Sequence, residues 1–350
     1  MPVNDNIMIA MSGGVDSAVA ALLAARGRQA AGVSMRLDFK GNTSGVIDSD
    51  AQDAARICAM LGIPHCVAEL GDAFYAAVVI PFIEAYERGQ TPNPCIDCNK
   101  RIKFGALLDF ARKQGYDRIA TGHYARVETH GDRTLLCRAK DEKKDQSYML
   151  YTLSQEVLSR VQFPLGELDK ESVRELASNA RLPVAHRADS QDICFIADGD
   201  YAAFIKRQTG KLYPKGKFLS LDGSVLGEHQ GQLHYTVGQR KGLGIALGKP
   251  AFVIGKSASE NTVTLGENAD LFAKRLVAKQ INLIPFDRME HGMRLLAKTR
   301  YRQVASLAWV EQTDEDELTV VFEEPQRAIS PGQSLVLYRD EYVVGGGKIV

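Results

Sequence analysis

Apolar and polar positions along the first 125 residues fall into short strand-like runs separated by helical stretches. Ile7-Met8-Ile9-Ala10-Met11 is an apolar run, followed by Ser12-Gly13-Gly14-Val15-Asp16-Ser17 and then by the Ala- and Leu-rich stretch Ala18 to Arg26. That order predicts strand, glycine loop, helix. Gly32 to Met35 predicts a second strand and Asp50 to Leu61 a second helix. Pro64 to Ala68 and Arg118 to Gly122, the latter just before His123, predict a third and a fourth strand. Strands alternating with helices imply a doubly wound parallel sheet, an α/β domain that binds ligands beyond the carboxyl ends of its strands.

The texture changes after about residue 205, where helical periodicity fades and glycine, proline and short β-rich runs take over. Phe218 to Leu221 and Ser224 to Gly227 flank Asp222-Gly223, a strong hairpin signal. Further strands are expected over Ala251 to Ile254, Thr262 to Leu265, Arg294 to Lys298, Ala305 to Val310, Glu317 to Phe322 and Ser334 to Tyr338. The expected architecture is therefore a catalytic α/β domain over 1–207, a small β-rich central domain over 208–275 and a C-terminal β-barrel or sandwich over 276–350. A chain of 350 residues exceeds what one compact core usually holds, in keeping with that division.

Composition refines the picture only locally. Apolar residues make up 45% and charged residues 25%, the ordinary globular range. Neither a basic-then-apolar leader nor an apolar run of ~18 residues is present, so a cytoplasmic protein without a membrane partner is expected. Net charge is zero, but Ile96 to Lys144 carries twelve Lys or Arg against seven Asp or Glu, while the preceding 95 residues carry six against ten. A local basic surface on a neutral chain suits a polyanion gripped at one place, although a solvated face of uneven charge would give the same count. Six cysteines are too few for a secreted disulfide scaffold.

The glycine loop is the first piece of chemistry. Between a strand and a helix, backbone N–H groups and the helix dipole can hold a phosphate chain. Ser12 and Ser17 offer hydroxyls, and Asp16 could hold Mg²⁺ against a pyrophosphate. The loop lacks the Gly-Lys-Ser/Thr ending of a Walker A site and is not a G-x-G-x-x-G dinucleotide loop. It resembles the pyrophosphate loop of the ATP pyrophosphatase superfamily, whose members cleave ATP to AMP and pyrophosphate while adenylating a substrate.

Cys95 and Cys98 form a Cys-x-x-Cys within Thr91 to Lys100, and Cys194 stands in Asp189 to Ile196. Next to a pyrophosphate loop, adenylation turns a carbonyl oxygen into a leaving group that a sulfur nucleophile can displace. A thiolate carrying a persulfide can deliver that sulfur, and a second thiol can release it as a disulfide forms. Three cysteines can equally hold three irons of a [4Fe–4S] cluster or supply three ligands to zinc. Cys58, Cys66 and Cys137 lie in apolar helical or strand contexts and are expected to serve as small buried residues.

Longer strings carry a more specific resemblance. TPNPCIDCNKRIKF (Thr91 to Phe104), ATGHY (Ala120 to Tyr124), KDQSY (Lys144 to Tyr148), DSQDICFI (Asp189 to Ile196) and HYTVGQRKGLGI (His234 to Ile245) are similar to signature segments of the tRNA-specific 2-thiouridylases. They run in the family's order over nearly the whole chain. The resemblance implies ATP-dependent replacement of the 2-oxygen of a wobble uridine by sulfur, on tRNAs for Lys, Glu and Gln, with a persulfide or sulfide donor upstream. It makes Cys98 the catalytic cysteine and Cys194 the persulfide carrier, the two pairing as a disulfide during transfer. It gives ATP contacts to Met11, Ser12, Gly13, Gly14, Val15, Asp16, Ser17, Met35 and Gly122. Contacts to the target base fall to Asn93, Pro94 and Cys95, and tRNA contacts to His123, Lys144, Asp145, Gln146, Arg300, Tyr301 and Gln333.

One position departs from the pattern. Many members carry Asp, with a catalytic role, where Cys95 stands; Asp97 lies two residues away on a different local direction and is not expected to substitute simply. A second subgroup carries cysteine there, which leaves both persulfide chemistry and a cluster open for the triad Cys95, Cys98 and Cys194. Lys100, Arg101 and Lys103 follow Cys98 directly, so RNA phosphates could be held beside the sulfur chemistry. Competing readings are another ATP-dependent ligase of the superfamily, an iron–sulfur tRNA sulfurtransferase, or a non-enzymatic nucleotide- and iron-sensing RNA-binding protein.

Overall fold

The computed structural model describes residues 5–40, 46–185, 187, 193–196 and 199–350. β1 (Ile7–Ala10), β2 (Ala30–Arg36), β3 (His65–Glu69) and β4 (Arg118–Ala120) coincide with the predicted strands, and α1 (Val15–Ala24) and α2 (Val46–Met60) with the predicted helices. β5 (Arg126–His130), β6 (Arg133–Cys137) and the two-residue β7 (Val161–Gln162) follow. A parallel sheet runs in the order β3-β2-β1-β4-β7. Its central strand is apolar on both faces, as a sheet covered by helices requires, with Ile7, Met8 and Ile9 all buried. Because β2 lies to one side of β1 and β4 to the other, the strand order switches at the carboxyl end of β1, where the glycine loop begins.

Two apolar cores sandwich this sheet. On one face Val15, Val19, Ala54 and Ile57 of α1 and α2 pack with Val173 and Ala177 of the helix Lys170–Asn179. On the other, Phe104, Leu107 and Leu108 pack with Tyr148, Tyr151 and, from the far end of the chain, Val336 and Tyr338. The C-terminal part is thus seated directly on the catalytic sheet.

The central unit is a four-stranded sheet of β8 (Gly216–Leu219), β9 (Val225–His229), β10 (Phe252–Ser257) and β11 (Thr262–Gly266), in the order β10-β11-β8-β9. β8 and β9 pair antiparallel across the Asp222-Gly223 turn. Phe218, Tyr235, Val253, Val263 and Leu265 make its small core.

β12 (Phe272–Leu283), β13 (Met293–Lys298), β14 (Ser306–Asp314), β15 (Glu317–Arg327), β16 (Ser334–Arg339) and β17 (Tyr342–Ile349) form a closed six-stranded barrel, since β17 pairs with β16 on one side and β12 on the other. The β5–β6 hairpin joins this sheet through a Tyr342–Cys137 pairing. β12 and β17 escaped the sequence reading. β12 opens with four exposed residues, Phe272-Ala273-Lys274-Arg275, that break the alternation of a half-buried strand, and β17 contains Gly345-Gly346-Gly347, a weak strand former by propensity. The glycines are demanded by close backbone approach: a Cβ on Gly345 would lie 2.1 Å from the Asn282 carbonyl oxygen across the closing β12–β17 pair, and one on Gly346 2.1 Å from that of Leu335 in β16. Among the described residues no helix is long and apolar enough to cross a membrane.

Candidate active site

The glycine loop leaves β1 through Met11 and enters α1 at Gly14, the N-cap, which has no side-chain cap. The first N–H groups of α1 therefore have no intrahelical partner, as an anion site requires. Gly13 turns the chain at φ +71°, with the Asp50 carbonyl against it. Ser17 holds the loop closed: its Oγ donates to the Gly14 carbonyl at 2.9 Å and accepts from the Ser12 N–H at 3.2 Å. Gly122, just beyond β4, lies beneath the loop so closely that a Cβ would meet Asp16 C at 2.8 Å and Ser17 N at 2.9 Å. Met35 sits half-buried near the end of β2, next to the same loop in sheet order.

Asp16 is not a free carboxylate. Lys170 Nζ binds both of its oxygens, at 2.7 and 2.9 Å, and the Tyr124 hydroxyl donates to Oδ1 at 2.9 Å. The lysine side chain is only 11% exposed, so this is a largely desolvated pair rather than a surface bridge. Arg187 donates to the Gly13 carbonyl at 3.0 Å and pairs with Asp50 and Asp53 of α2. The sequence reading missed Lys170, Tyr124 and Arg187. Tyr124 stood inside a recognised string, but Lys170 and Arg187 carried no local signal, being 154 and 174 residues from the groups they bind.

The thiols belong to the same domain, and the apolar cluster around Cys98 also takes in Met35 at the end of β2. Asn93 caps the short helix Pro94–Cys98, its Oδ1 accepting from the Cys95 N–H at 3.2 Å, and Pro94 occupies the first turn, where no N–H is missed. Cys98 is buried, while Cys95 and Cys194 are exposed, and all three are free thiols. Of the string Asp189 to Ile196, residues 189–192 lie outside the described residues. Phe195, next to Cys194, is locked among Phe74, Phe82 and Phe204 at ring separations of 5.3 to 5.5 Å, within the same apolar cluster as Cys98. This packing brings the third cysteine to the Cys-x-x-Cys across some 100 residues of sequence.

Desolvation pushes the Cys98 thiol up to about 12, partly opposed by the Lys103 ammonium and reinforced by Cys194, Cys95 and Asp97. Cys194 is raised by desolvation and by Cys95, and Cys95 by desolvation, each again opposed by Lys103. The resting site therefore holds protonated thiols at neutral pH. Among the described residues no group of three or more His, Cys, Asp or Glu side chains converges so as to hold a metal ion.

Asp97 lies between the Cys98 thiol, on which its charge acts, and the barrel. It lines a small cleft with Asn93, Lys100, Tyr151, Thr152, Gln280 and Lys348, and burial raises its carboxyl against the pull of Lys348, Lys100 and Arg101. Asn99, directly after Cys98, is 2% exposed; its amide donates to the Met149 carbonyl at 3.0 Å and its Oδ1 has no partner.

The residues expected to meet tRNA also hold intramolecular contacts. His123 is buried between Phe104 and Phe163, Nδ1 sharing a 2.7 Å hydrogen bond with Thr121 Oγ1, and burial holds its pKa well below the ordinary value, with Lys103 adding to the effect. Asp145 accepts from the Ala139 and Ser147 N–H groups and from Ser147 Oγ. Gln146 Oε1 accepts from the Tyr124 N–H at 3.0 Å, and neighbouring Lys144 is half-buried. Arg300 ties barrel to central unit, its Nη2 donating to the carbonyls of Val237 (3.0 Å) and Ala328 (2.7 Å) and to Ser330 Oγ (2.7 Å). Tyr301 packs on Tyr148 at 5.9 Å, and Gln333 Nε2 donates to the Thr91 carbonyl at 2.7 Å, bracing the approach to the Cys-x-x-Cys.

Comparison with known proteins agrees with this layout. Residues 5–198 match the family model for a tRNA methyl transferase HUP domain, 202–267 a tRNA methyl transferase PRC-barrel domain and 273–349 an aminomethyltransferase beta-barrel domain. The chain is 45% identical to the tRNA-specific 2-thiouridylase MnmA of Clostridioides difficile (strain 630), over 100% of this chain and 99% of that protein. It is also 45% identical to tRNA-specific 2-thiouridylase MnmA 2 of Clostridium botulinum (strain Loch Maree), over 98% of each. Among solved structures, NMN synthetase from Francisella tularensis covers 54% of this chain and 67% of its own at 23% identity and a TM-score of 0.34. The U34-tRNA thiolase NcsA from Methanococcus maripaludis, solved with its [4Fe-4S] cluster, covers 58% and 66% at 16% identity and a TM-score of 0.36.

Proposed function

We infer, from the premise that this chain belongs to the tRNA-specific 2-thiouridylase family, that it is an ATP-dependent tRNA-uridine 2-sulfurtransferase. The observation that carries the reading is 45% identity along the entire chain to a relative of that name, 99% of which is covered. Identity at that level through all three units does not favour another ligase of the superfamily or a mere sensor.

The reaction divides between the two halves of the site. The N–H groups at the start of α1, with Ser12 and Ser17 setting the loop's shape, receive the phosphates of ATP. The uridine 2-oxygen attacks the α-phosphorus, pyrophosphate leaves, and C2 now carries AMP as its leaving group. Mg²⁺ at Asp16 would neutralise the departing pyrophosphate. The carboxylate suits that ion by chemistry, and Lys170, which occupies it in this conformation, would have to yield.

Sulfur arrives as a persulfide on Cys194, from a persulfide or sulfide donor. Its terminal sulfur bonds to C2, AMP departs with the former 2-oxygen, and the N3 proton is lost to solvent. The Cys98 thiolate then attacks Cys194 Sγ; the bond between Cys194 and the transferred sulfur breaks, its electron pair completing the thiocarbonyl as N3 takes a proton back from solvent, and a Cys98–Cys194 disulfide remains for an external dithiol to reduce. The shared packing of Cys98 and Phe195 supports this pairing. No step runs through an iron–sulfur cluster. The tRNAs for Lys, Glu and Gln are the proposed substrates, entering where Asn93, Pro94 and Cys95 border the barrel and where Lys144 and Lys100 supply charge.

The test is turnover with full-length tRNA carrying an unmodified wobble uridine, Mg-ATP and a persulfide donor. The reading predicts pyrophosphate release that depends on tRNA, with 2-thiouridine appearing in the digested RNA. ATP cleavage driven by a small amine or acid, with tRNA inert, would refute it.

A further inference from the structure

Immediately after Cys98 the chain leaves α-helical geometry. Asn99–Ala106 is a π-helical segment, between the short helix Pro94–Cys98 and the helix Leu107–Lys113. π turns are rare and concentrate at functional sites, because the i→i+5 bond re-aims the residues that follow. On an α-helix of 3.6 residues per turn, the residue five beyond Cys98 would point about 140° away from it. In an i→i+5 turn that residue comes back over Cys98, and the residue is Lys103.

The segment is fixed in this register by two cores at once. Ile102, 1% exposed, packs into the aromatic cluster that holds Cys98 and Phe195, while Phe104, 2% exposed, and Leu107 pack on the parallel sheet. Lys103, between them, is half-buried. Its basic neighbours point elsewhere: Lys100 and Arg101 act on Asp97 at the barrel junction. Among the described residues no hydrogen bond or ion pair occupies the Lys103 ammonium. A half-buried lysine with no carboxylate beside it leaves its ammonium available to an anion.

We propose that Lys103 is the positioning cation of the sulfur-transfer site, turned by the π-helical segment onto Cys95, Cys98 and Cys194 to stabilise whichever sulfur is anionic during transfer. The same ammonium opposes the raised pKa of all three thiols, in agreement with its placement. This deepens the sulfurtransferase reading and rests on it. Lys103 acts through the charge of the sulfurs, so adenylation at the glycine loop does not depend on it.

The experiment compares wild type, Lys103→Met and Lys103→Arg in the full chain, with unmodified tRNA, Mg-ATP and glutathione persulfide. Pyrophosphate release reports adenylation and nucleoside mass spectrometry reports 2-thiouridine. The expected result is adenylation within about threefold of wild type in both variants, thiolation at least ~10-fold slower in Lys103→Met, and recovery of most of that loss in Lys103→Arg. Thiolation at the wild-type rate in Lys103→Met overturns the proposal. So does parallel loss of both activities, which assigns Lys103 to tRNA binding or folding, and so does failure of Arg to rescue. A wild-type protein that neither adenylates nor thiolates tRNA instead removes the parent reading, and this inference with it.

Discussion

Replacing Gly122 with alanine places one methyl group against the floor of the phosphate loop. The added Cβ would stand 2.8 Å from Asp16 C, 2.9 Å from Ser17 N and 3.0 Å from Asp16 O, all main-chain atoms that no rotamer change can move. Restoring an ordinary contact of 3.4 Å from 2.8 Å requires a displacement of about 0.6 Å, shared between the end of β4 and the loop. The clashing atoms belong to the first turn of α1, so the shift falls on the junction of the loop with that helix. It would carry with it Asp16, its contacts to Lys170 and Tyr124, and the first N–H groups of α1. Overpacking of this kind costs ~1–3 kcal/mol of stability, and displacing a phosphate cradle by more than half an ångström lowers a positioned reaction by roughly 10- to 100-fold. The assay is tRNA-dependent pyrophosphate release at saturating tRNA, with tRNA affinity followed separately by filter binding. Adenylation should fall by that factor while tRNA binds within about threefold of wild type. Wild-type adenylation with unchanged thermal unfolding would show that the loop does not work against Gly122, and the assignment of the phosphate site would fail.

Other outcomes follow from the same geometry. Lys170→Met leaves the Asp16 carboxylate with only the Tyr124 hydroxyl, and should destabilise the chain by ~1–3 kcal/mol and shift the Mg²⁺ dependence of adenylation, read by chemical denaturation and a Mg²⁺ titration; unchanged curves in both would deny the pair its role. Cys194→Ser should still release pyrophosphate with tRNA yet yield no 2-thiouridine, and normal thiolation would remove Cys194 as the carrier. His123, whose pKa is held below 6.5 by burial, contributes stability that is complete above 6.5 and lost as pH falls through its lower folded value. Thermal unfolding temperature should therefore decline below pH 6.5 more steeply in wild type than in His123→Asn, and parallel declines would contradict the burial argument. Asn93→Ala, which removes the cap of the Cys95–Cys98 helix, should cost ~1 kcal/mol in denaturant unfolding, and no loss would show the cap to be idle.

Much of the fold was legible because its signals are local. The strand–glycine loop–helix order at Ile7 to Arg26 and the Asp222-Gly223 hairpin are each encoded within about twenty residues. β12 and β17 were not legible, because their strand character comes from pairing within the barrel rather than from propensity, as the glycines pressed against the Asn282 and Leu335 carbonyls show. At the site, cysteine spacing and the glycine string are local signals, and the structure places the loop at the end of β1 and Cys98 in one apolar cluster with the neighbour of Cys194. The partners of those residues did not announce themselves, since Lys170 meets Asp16 only through packing of its helix on α1. Basic and polar side chains were the least legible class. Arg300 and Asp145 look alike in sequence to surface groups, yet one binds two carbonyls and a serine between units and the other closes a turn. The Asp-x-Ser pattern at Asp145 to Ser147 was the available hint of that turn. Lys103 was visible only as one of several cations after Cys98, and the π turn that separates it from Lys100 and Arg101 has no reliable sequence signature.

The most direct measurement of the central claim is the fate of the oxygen at C2. A tRNA whose wobble uridine carries ¹⁸O at that position is incubated with Mg-ATP, a persulfide donor and the protein, and the released AMP is weighed by mass spectrometry. Activation of the 2-oxygen by adenylation predicts one ¹⁸O in the phosphate of AMP for each 2-thiouridine formed. Unlabelled AMP, or 2-thiouridine formed without AMP, would contradict it.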